Sequence, residues 1–208
     1  MKALNLRGIG DLQYEDVPIP KRKKDEALLN IHAAGICGSD IPRVFEKGTY
    51  HFPTIIGHEF AGEIVEADDS SLIGRGASVF PLIPCGKCEA CRTENYAQCA
   101  DYDYYGSRRD GAMAEYIAVK LKNLCLIPEG VSYEEAAMTE PAAVAYHAFK
   151  KSGAGLGDTL LIYGVGAIGL IVAKWARAAG VKNIILAART DDKVEFAKNL
   201  GFPLSINI

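Results

Sequence analysis

Four cysteines inside fifteen residues, Cys85-x2-Cys88-x2-Cys91-x7-Cys99, constrain this chain more than any other feature. Tetrahedral zinc takes four thiolates at about 2.3 Å, and one short looping segment can supply them all. The surrounding segment carries Pro81, Pro84, Gly86 and many polar residues, so it has little apolar core of its own. A bound metal would supply the missing stability. Four thiolates leave no open coordination position, so such an ion holds a lobe together and does no chemistry. An iron–sulfur cluster is the competing occupant, and unrelated buried or disulfide-forming thiols are the plain alternative. The N-terminus, MKALNLRGIGDLQYEDVPIP, lacks the apolar core of a signal peptide. A cytoplasmic, reducing setting is expected, where clustered thiols bind metal rather than pair.

The 208 residues are 49% apolar with a net charge of −3, enough chain for one large domain or two small ones. Neither a nucleic-acid nor a membrane partner is expected from that balance, and no 18-residue apolar stretch occurs. The one basic run, Lys21–Lys24, is flanked by Asp25 and Glu26 and reads as a solvated turn. The first half reads as short strands between Gly and Pro turns: Ala27–Ala33, Glu59–Val65, Ala77–Leu82, Glu115–Val119 and Leu124–Ile127. That spacing predicts a β-barrel-like domain. From Tyr133 the texture turns helical, at Tyr133–Met138 and Ala142–Ser152. The order then becomes strand Asp158–Tyr163, helix Ala167–Ala179, strand Asn183–Ala188 and helix Asp191–Leu200, with Gly180 and Gly201 as helix stops. This is the start of a parallel α/β sheet. A boundary near Lys151–Gly157 divides residues 1–150 from 151–208.

Two further motifs carry chemistry. Cys37 lies in Gly35-Ile36-Cys37-Gly38-Ser39-Asp40, and Gly57-His58-Glu59 follows. A thiolate, an imidazole and one or two carboxylates make a catalytic zinc set if one position stays open. Taken singly, each is equally a core cysteine or a structural histidine; Cys125, between two leucines, reads as core. Gly164-Val165-Gly166-Ala167-Ile168-Gly169 is G-x-G-x-x-G between an apolar strand and a helix, the context a dinucleotide site requires. A tight βα turn without a ligand is its bland alternative. In NAD enzymes the second strand ends in an acid that holds the ribose hydroxyl. Here that position is Ala188, followed by Arg189, a pair whose chemistry favours NADP.

The order Cys-Gly-Ser-Asp, Gly-His-Glu, cysteine quartet, glycine-rich turn resembles that of the medium-chain zinc alcohol and polyol dehydrogenases, along the whole chain. The narrower match is to the galactitol-1-phosphate 5-dehydrogenases. It is carried by Cys37–Arg43, Pro53–Glu59, Tyr105–Gly111 and Ala114–Lys120. Sorbitol (L-iditol) and L-threonine dehydrogenases are similar but less so. The resemblance implies a β-rich GroES-like catalytic domain followed by the first part of a Rossmann domain. It implies two zinc ions per chain and a nicotinamide dinucleotide, which that narrower branch takes as NAD. By position, Cys37 and His58 match catalytic zinc ligands, and Glu59 matches the carboxylate beside them. Glu140 matches a further acidic ligand of the polyol branch, and Ser39 the hydroxyl that begins a proton relay. The implied reaction oxidises a secondary alcohol of a polyol or polyol phosphate to a ketose. A homo-oligomer, dimer or tetramer, is implied for the full-length protein.

Arg108 and Arg109, in Gly-Ser-Arg-Arg-Asp-Gly, are candidates for gripping a sugar phosphate, with Arg43 and Tyr50 as further substrate candidates. The competing reading pairs these arginines with Asp101, Asp103 or Asp110 as a surface network. A dinucleotide fold needs two βαβαβ halves, and after Gly157 the sequence supplies two strands, two helices and a short third strand at Leu204–Ile208. The chain therefore reads as truncated, with zinc binding but little turnover expected. A zinc-stabilised binding or assembly module without activity is the alternative of a different class.

Overall fold

The computed structural model describes residues 1–208, which form two compact units, Met1–Glu140 and Pro141–Ile208. The division falls earlier than the sequence reading places it. After the short helices α1 (Asp40–Pro42), α2 (Glu89–Arg92) and α3 (Tyr133–Ala137), helix α4 (Thr139–Ser152) belongs mostly to the second unit, because Phe149 lies in that unit's core and Trp175 Nε1 donates to Ala142 O.

The first unit is built on a five-stranded antiparallel sheet in the order β10-β6-β5-β3-β9. Its strands are β3 (Glu26–Gly35), β5 (Glu59–Glu66), β6 (Gly76–Val79), β9 (Tyr116–Lys120) and β10 (Leu124–Leu126). Leu29, Phe60, Ile64, Ala77, Ile117 and Val119 project into one core. Each such large side chain contributes about 1.5–3 kcal/mol by leaving water. Register irregularities between Leu28 and Leu29 and between Ile31 and Ala33 bend β3 over β5. Gly62 permits the approach, since a Cβ there would lie 2.1 Å from Asn30 O.

A second sheet, β2-β1-β4, joins β1 (Lys2–Gly8), β2 (Asp11–Asp16) and β4 (Thr54–Ile55). The N-terminal hairpin is not evident in the sequence because charged and polar residues mask its alternation. Sequence reading also runs Ala77–Leu82 as one strand, whereas Phe80 and Pro81 divide it into β6 and β7 (Leu82–Ile83), the latter paired with β8 (Asp103–Tyr104). Pro81 has no amide hydrogen to continue the ladder. Cys125 is exposed rather than core, because β10 is an edge strand paired only with β6.

In the second unit β11 (Thr159–Tyr163), β12 (Asn183–Ala188) and β13 (Ile206–Asn207) form a parallel sheet in that order. Helices α5 (Ala167–Ala178) and α6 (Asp191–Asn199) connect them. Ile162, Ala173, Leu186, Val194 and Phe202 fill the core between sheet and helices. No helix is long and apolar enough to cross a membrane.

Candidate metal and cofactor sites

The quartet's sulfurs stand where zinc needs them. Cys85 and Cys91 Sγ are 3.8 Å apart, Cys88 and Cys91 3.5 Å, and Cys88 and Cys99 3.9 Å. A tetrahedron with Zn–S bonds of about 2.3 Å has edges of about 3.8 Å, whereas a disulfide brings its sulfurs to about 2.05 Å. All four cysteines are free, and all four sulfurs lie within 4.8 Å of one another. Backbone N–H groups also point at them. The Cys85 amide donates to Cys99 Sγ at 3.3 Å, and amides of Ala100 and Cys91 hold the Cys88 thiol down at about 6. Burial pushes the Cys91 thiol up to about 12. Four adjacent thiolates repel one another, and a divalent cation lets them ionise together.

The second cluster is assembled from distant segments. Cys37 follows β3, while His58 and Glu59 open β5; their ligand atoms lie within 4.8 Å of one another. Cross-strand pairing of Gly35 with Glu59 sets the register, and Gly35 leaves room for the carboxylate, since a Cβ there would lie 2.4 Å from Glu59 Oε2. Gly57, at φ +100°, turns the chain into His58. The loop Gly106–Met113 braces that turn: Gly111 N donates to Ile55 O, Ala112 N to Gly57 O and Met113 N to Ile56 O. Gly106 and Gly111 press flat on Gly57, where their Cβ atoms would lie 2.6 and 2.1 Å from its carbonyl oxygen.

His58 is buried, and its Nδ1 has no hydrogen-bond partner within ordinary reach. Asp40 Oδ1 stands 3.6 Å from that nitrogen and accepts from Arg43 Nη1 at 2.7 Å. A carboxylate behind an imidazole fixes its tautomer and orientation when the other nitrogen binds metal. Burial lowers the His58 pKa, keeping the ring neutral as a ligand must be. Ser39 Oγ donates to Cys37 Sγ at 3.3 Å. Burial raises the Cys37 thiol, with the neighbouring carboxylates adding to it. Glu140 is not one of the three converging donors, yet it feels them: burial first, then the charge of Glu59, pushes its carboxyl up to about 7. Tyr104 meets the His58 ring edge-on at 5.6 Å, and its neighbouring hydroxyl offsets part of that rise. The thiol, imidazole and carboxylate of the three converging donors suit zinc with a free position.

Asp40 and Tyr104 were not singled out as site residues in the sequence. Asp40 had one signal, its place three residues after a ligand-type cysteine in a polar turn; Tyr104 had none. Among the substrate candidates, Arg43 is committed to Asp40. Arg109 lies 2.6 Å from Asp103 and over the Tyr105 ring, so the surface-network reading describes it. Arg108 is in neither kind of pair; its guanidinium sits between the Tyr50 and Tyr102 rings, at 4.1 and 4.3 Å.

In the second unit, Gly164 has φ +115° and donates its N–H to Ala187 O, making the tight turn after β11. Gly169 must lack a side chain, since a Cβ would lie 2.0 Å from Gly164 O. Gly166 differs: nothing lies within 4 Å of its Cβ position, and no side chain caps helix α5. Helix α5 therefore begins at Ala167 without a side chain of its own to satisfy its first amides. Ala188 ends β12 buried, Arg189 is exposed, and Asp191 accepts from Asn207 Nδ2 at 2.7 Å.

The alcohol dehydrogenase GroES-like domain model matches residues 23–129. Galactitol 1-phosphate 5-dehydrogenase of Escherichia coli K12 is 37% identical over 95% of this chain and 58% of its own length. The crystal structure of the E. coli galactitol-1-phosphate dehydrogenase superposes with a TM-score of 0.94 at 36% identity, covering 100% of this chain and 61% of that one. Sorbitol dehydrogenase of Bacillus subtilis is 36% identical over 100% of this chain and 61% of its own. A Sinorhizobium meliloti zinc-binding dehydrogenase bound to NADP has a TM-score of 0.94 at 32% identity, over 99% of this chain and 61% of that one. An E. coli CFT073 alcohol dehydrogenase, rspB, complexed with NADH has a TM-score of 0.92 at 33% identity, over 100% and 62%. The chain thus spans about three-fifths of the length of these relatives. With that family model covering just over half of its residues, the chain belongs to the zinc-dependent medium-chain alcohol dehydrogenase family.

Proposed function

We propose that the protein contributes to oxidation of a secondary alcohol, in a polyol or polyol phosphate, to a ketone, with a nicotinamide dinucleotide as hydride acceptor. The observation that carries this reading is the convergence of Cys37, His58 and Glu59 within 4.8 Å beside the Ser39 hydroxyl. A zinc ion held there would act as a Lewis acid on the alcohol oxygen. Asp40, held by Arg43, stands 3.6 Å behind His58 Nδ1, where its charge would favour a proton on that nitrogen and leave the other free for metal. Ser39 would take the substrate's hydroxyl proton and pass it outward. Glu140 and Tyr104, close enough to feel the charge of Glu59, would serve as a further ligand and as a donor to substrate oxygens. The quartet would carry a second, purely structural zinc. Gly164–Gly169 and the α5 amides would hold the dinucleotide phosphates. Ala188 and Arg189 support NADP, while the narrower branch that the sequence resembles favours NAD.

Metal analysis of the zinc-loaded chain tests the central claim. Two zinc ions per chain, falling to one in Cys37→Ser, are expected. One zinc in the unaltered chain would instead support a stapled module without a reaction centre. For the dinucleotide, kcat/KM with NADP and NAD on the protein at the length of its relatives decides the preference; a clear choice of NAD would remove the role given to Arg189.

A further inference from the structure

Arg108 is held as few surface arginines are. Tyr50 and Tyr102 clamp its guanidinium on both faces, and its Nε is buried with no hydrogen-bond partner. Its backbone is fixed too: Arg108 N donates to Tyr104 O at 3.0 Å, and its carbonyl meets His51 Nε2 at 3.2 Å. Clamping removes the rotamer freedom that a flexible arginine loses on binding. An aromatic sandwich also tolerates the positive charge without neutralising it. Arg109, one residue on, spends its charge on Asp103. Arg108 keeps its own.

The cleft that Arg108 lines is completed by Tyr50, Pro84, Cys85, Lys87 and Tyr102, with Asp101 and Asp103 at its side. Lys87 is exposed and lies between two cysteines of the quartet, so that lobe forms one wall. With Asp103 matched by Arg109, the balance is Arg108 and Lys87 against Asp101. Tyr50 joins this cleft to the next, where it lies with Ser39, Arg43, Lys47 and Thr49. One extended molecule can therefore pass the Tyr50 ring, with its hydroxyl carbon beside Ser39 and its far end at Arg108.

We propose that the cleft between Tyr50, Tyr102 and the cysteine lobe is an anion subsite, in which Arg108 and Lys87 receive the phosphate of an acyclic polyol phosphate. This rests on the polyol reading above and selects the phosphorylated class within it. A guanidinium offers parallel N–H donors to phosphate oxygens, and Lys87 adds a point charge. The quartet then does more than hold a loop closed: it carries one of the two cations to the substrate.

The test titrates the zinc-loaded protein with galactitol 1-phosphate, galactitol and inorganic phosphate, following the arginine Nε–H resonances. Galactitol 1-phosphate is expected to bind at least about tenfold more tightly than galactitol, in line with a charge-assisted hydrogen-bond pair. Both phosphates should shift the Arg108 Nε–H signal. Arg108→Gln should cut the phosphate-to-plain affinity ratio by about tenfold to a hundredfold, with Arg108→Lys between it and the original. Lys87→Gln, at an exposed position that cannot unfold the clamp, should cut the ratio by a smaller, salt-sensitive factor. A ratio near one, or a ratio indifferent to both Arg108→Gln and Lys87→Gln, overturns the subsite. Two zincs per chain with no preference for phosphate keeps the polyol reading and discards the subsite. One zinc with phosphate held through Arg108 does the reverse.

Discussion

The two donor clusters differ in how the chain makes them. The quartet is local: one loop, four like ligands, no requirement on the rest of the fold. The Cys37–His58–Glu59 cluster is global, drawn from the end of β3 and the start of β5 and held by cross-strand register and a brace from Gly106–Met113. A local cluster gets its order from the metal. A global one is ordered by the fold before any ion arrives, and so can keep a position free for a substrate.

That contrast can be broken experimentally, and the quartet should give the largest effect. Structural zinc sites carry about 10–16 kcal/mol of apparent binding free energy. Cys91→Ser should therefore release one zinc and unfold the segment from Cys85 to Cys99, seen as lost amide dispersion there, with the main sheet intact. Collapse of the whole first unit would show that the lobe is not local.

Gly111→Ala probes the other cluster through its brace. A Cβ 2.1 Å from Gly57 O forces the loop away, and overpacking of this kind costs about 1–3 kcal/mol. The expected outcome is loss of zinc at Cys37–His58–Glu59 with the quartet zinc retained. A denaturation midpoint equal to that of the unaltered chain would refute the bracing role. Asp40→Asn is milder. Removing a carboxylate behind a ligand histidine weakens metal binding by about 10–100-fold, so a chelator competition should show one of two zincs released sooner.

The charge crowding predicts a pH effect confined to the second cluster. Glu140 is raised from 4.5 to about 7, so the folded chain binds more protons than the unfolded one between those values. Stability should then fall as pH rises through that window. In a Cys37→Ser background, adding Glu140→Gln should flatten this slope in urea titrations from pH 4 to 8. An unchanged slope would place the charge crowding elsewhere. The smallest effect on stability is expected at Gly166→Ala, where the Cβ meets open space, against a clear loss at Gly169→Ala. Equal losses would remove the distinction between a glycine kept for packing and one kept for an approaching ligand.

The same contrast explains what the sequence made legible. The quartet could be read because its ligands are neighbours. The glycine-rich turn could be read because strand, turn and helix follow one another. Cys37, His58 and Glu59 were chemically ambiguous one by one, and only the resemblance joined them. Asp40 escaped notice because nothing in a sequence tells which of 26 acidic residues will be buried behind a histidine. Arg108 and Arg109 are identical neighbours in sequence, and only side-chain placement shows that one is spent on Asp103 and the other is not. Cys125 went astray because flanking leucines suggest a core, while sheet order places the strand at an edge.

The three-glycine contact at Gly57, Gly106 and Gly111 has a consequence for how proteins of this design can diverge. It divides the Gly-Ser-Arg-Arg-Asp-Gly loop into a heel that admits no side chain and a toe that bears Arg108. Mutations at the heel are expected to be purged, whereas those at the toe leave the metal donors where they were. Variation can thus be sampled at one end of a loop whose other end keeps His58 in place.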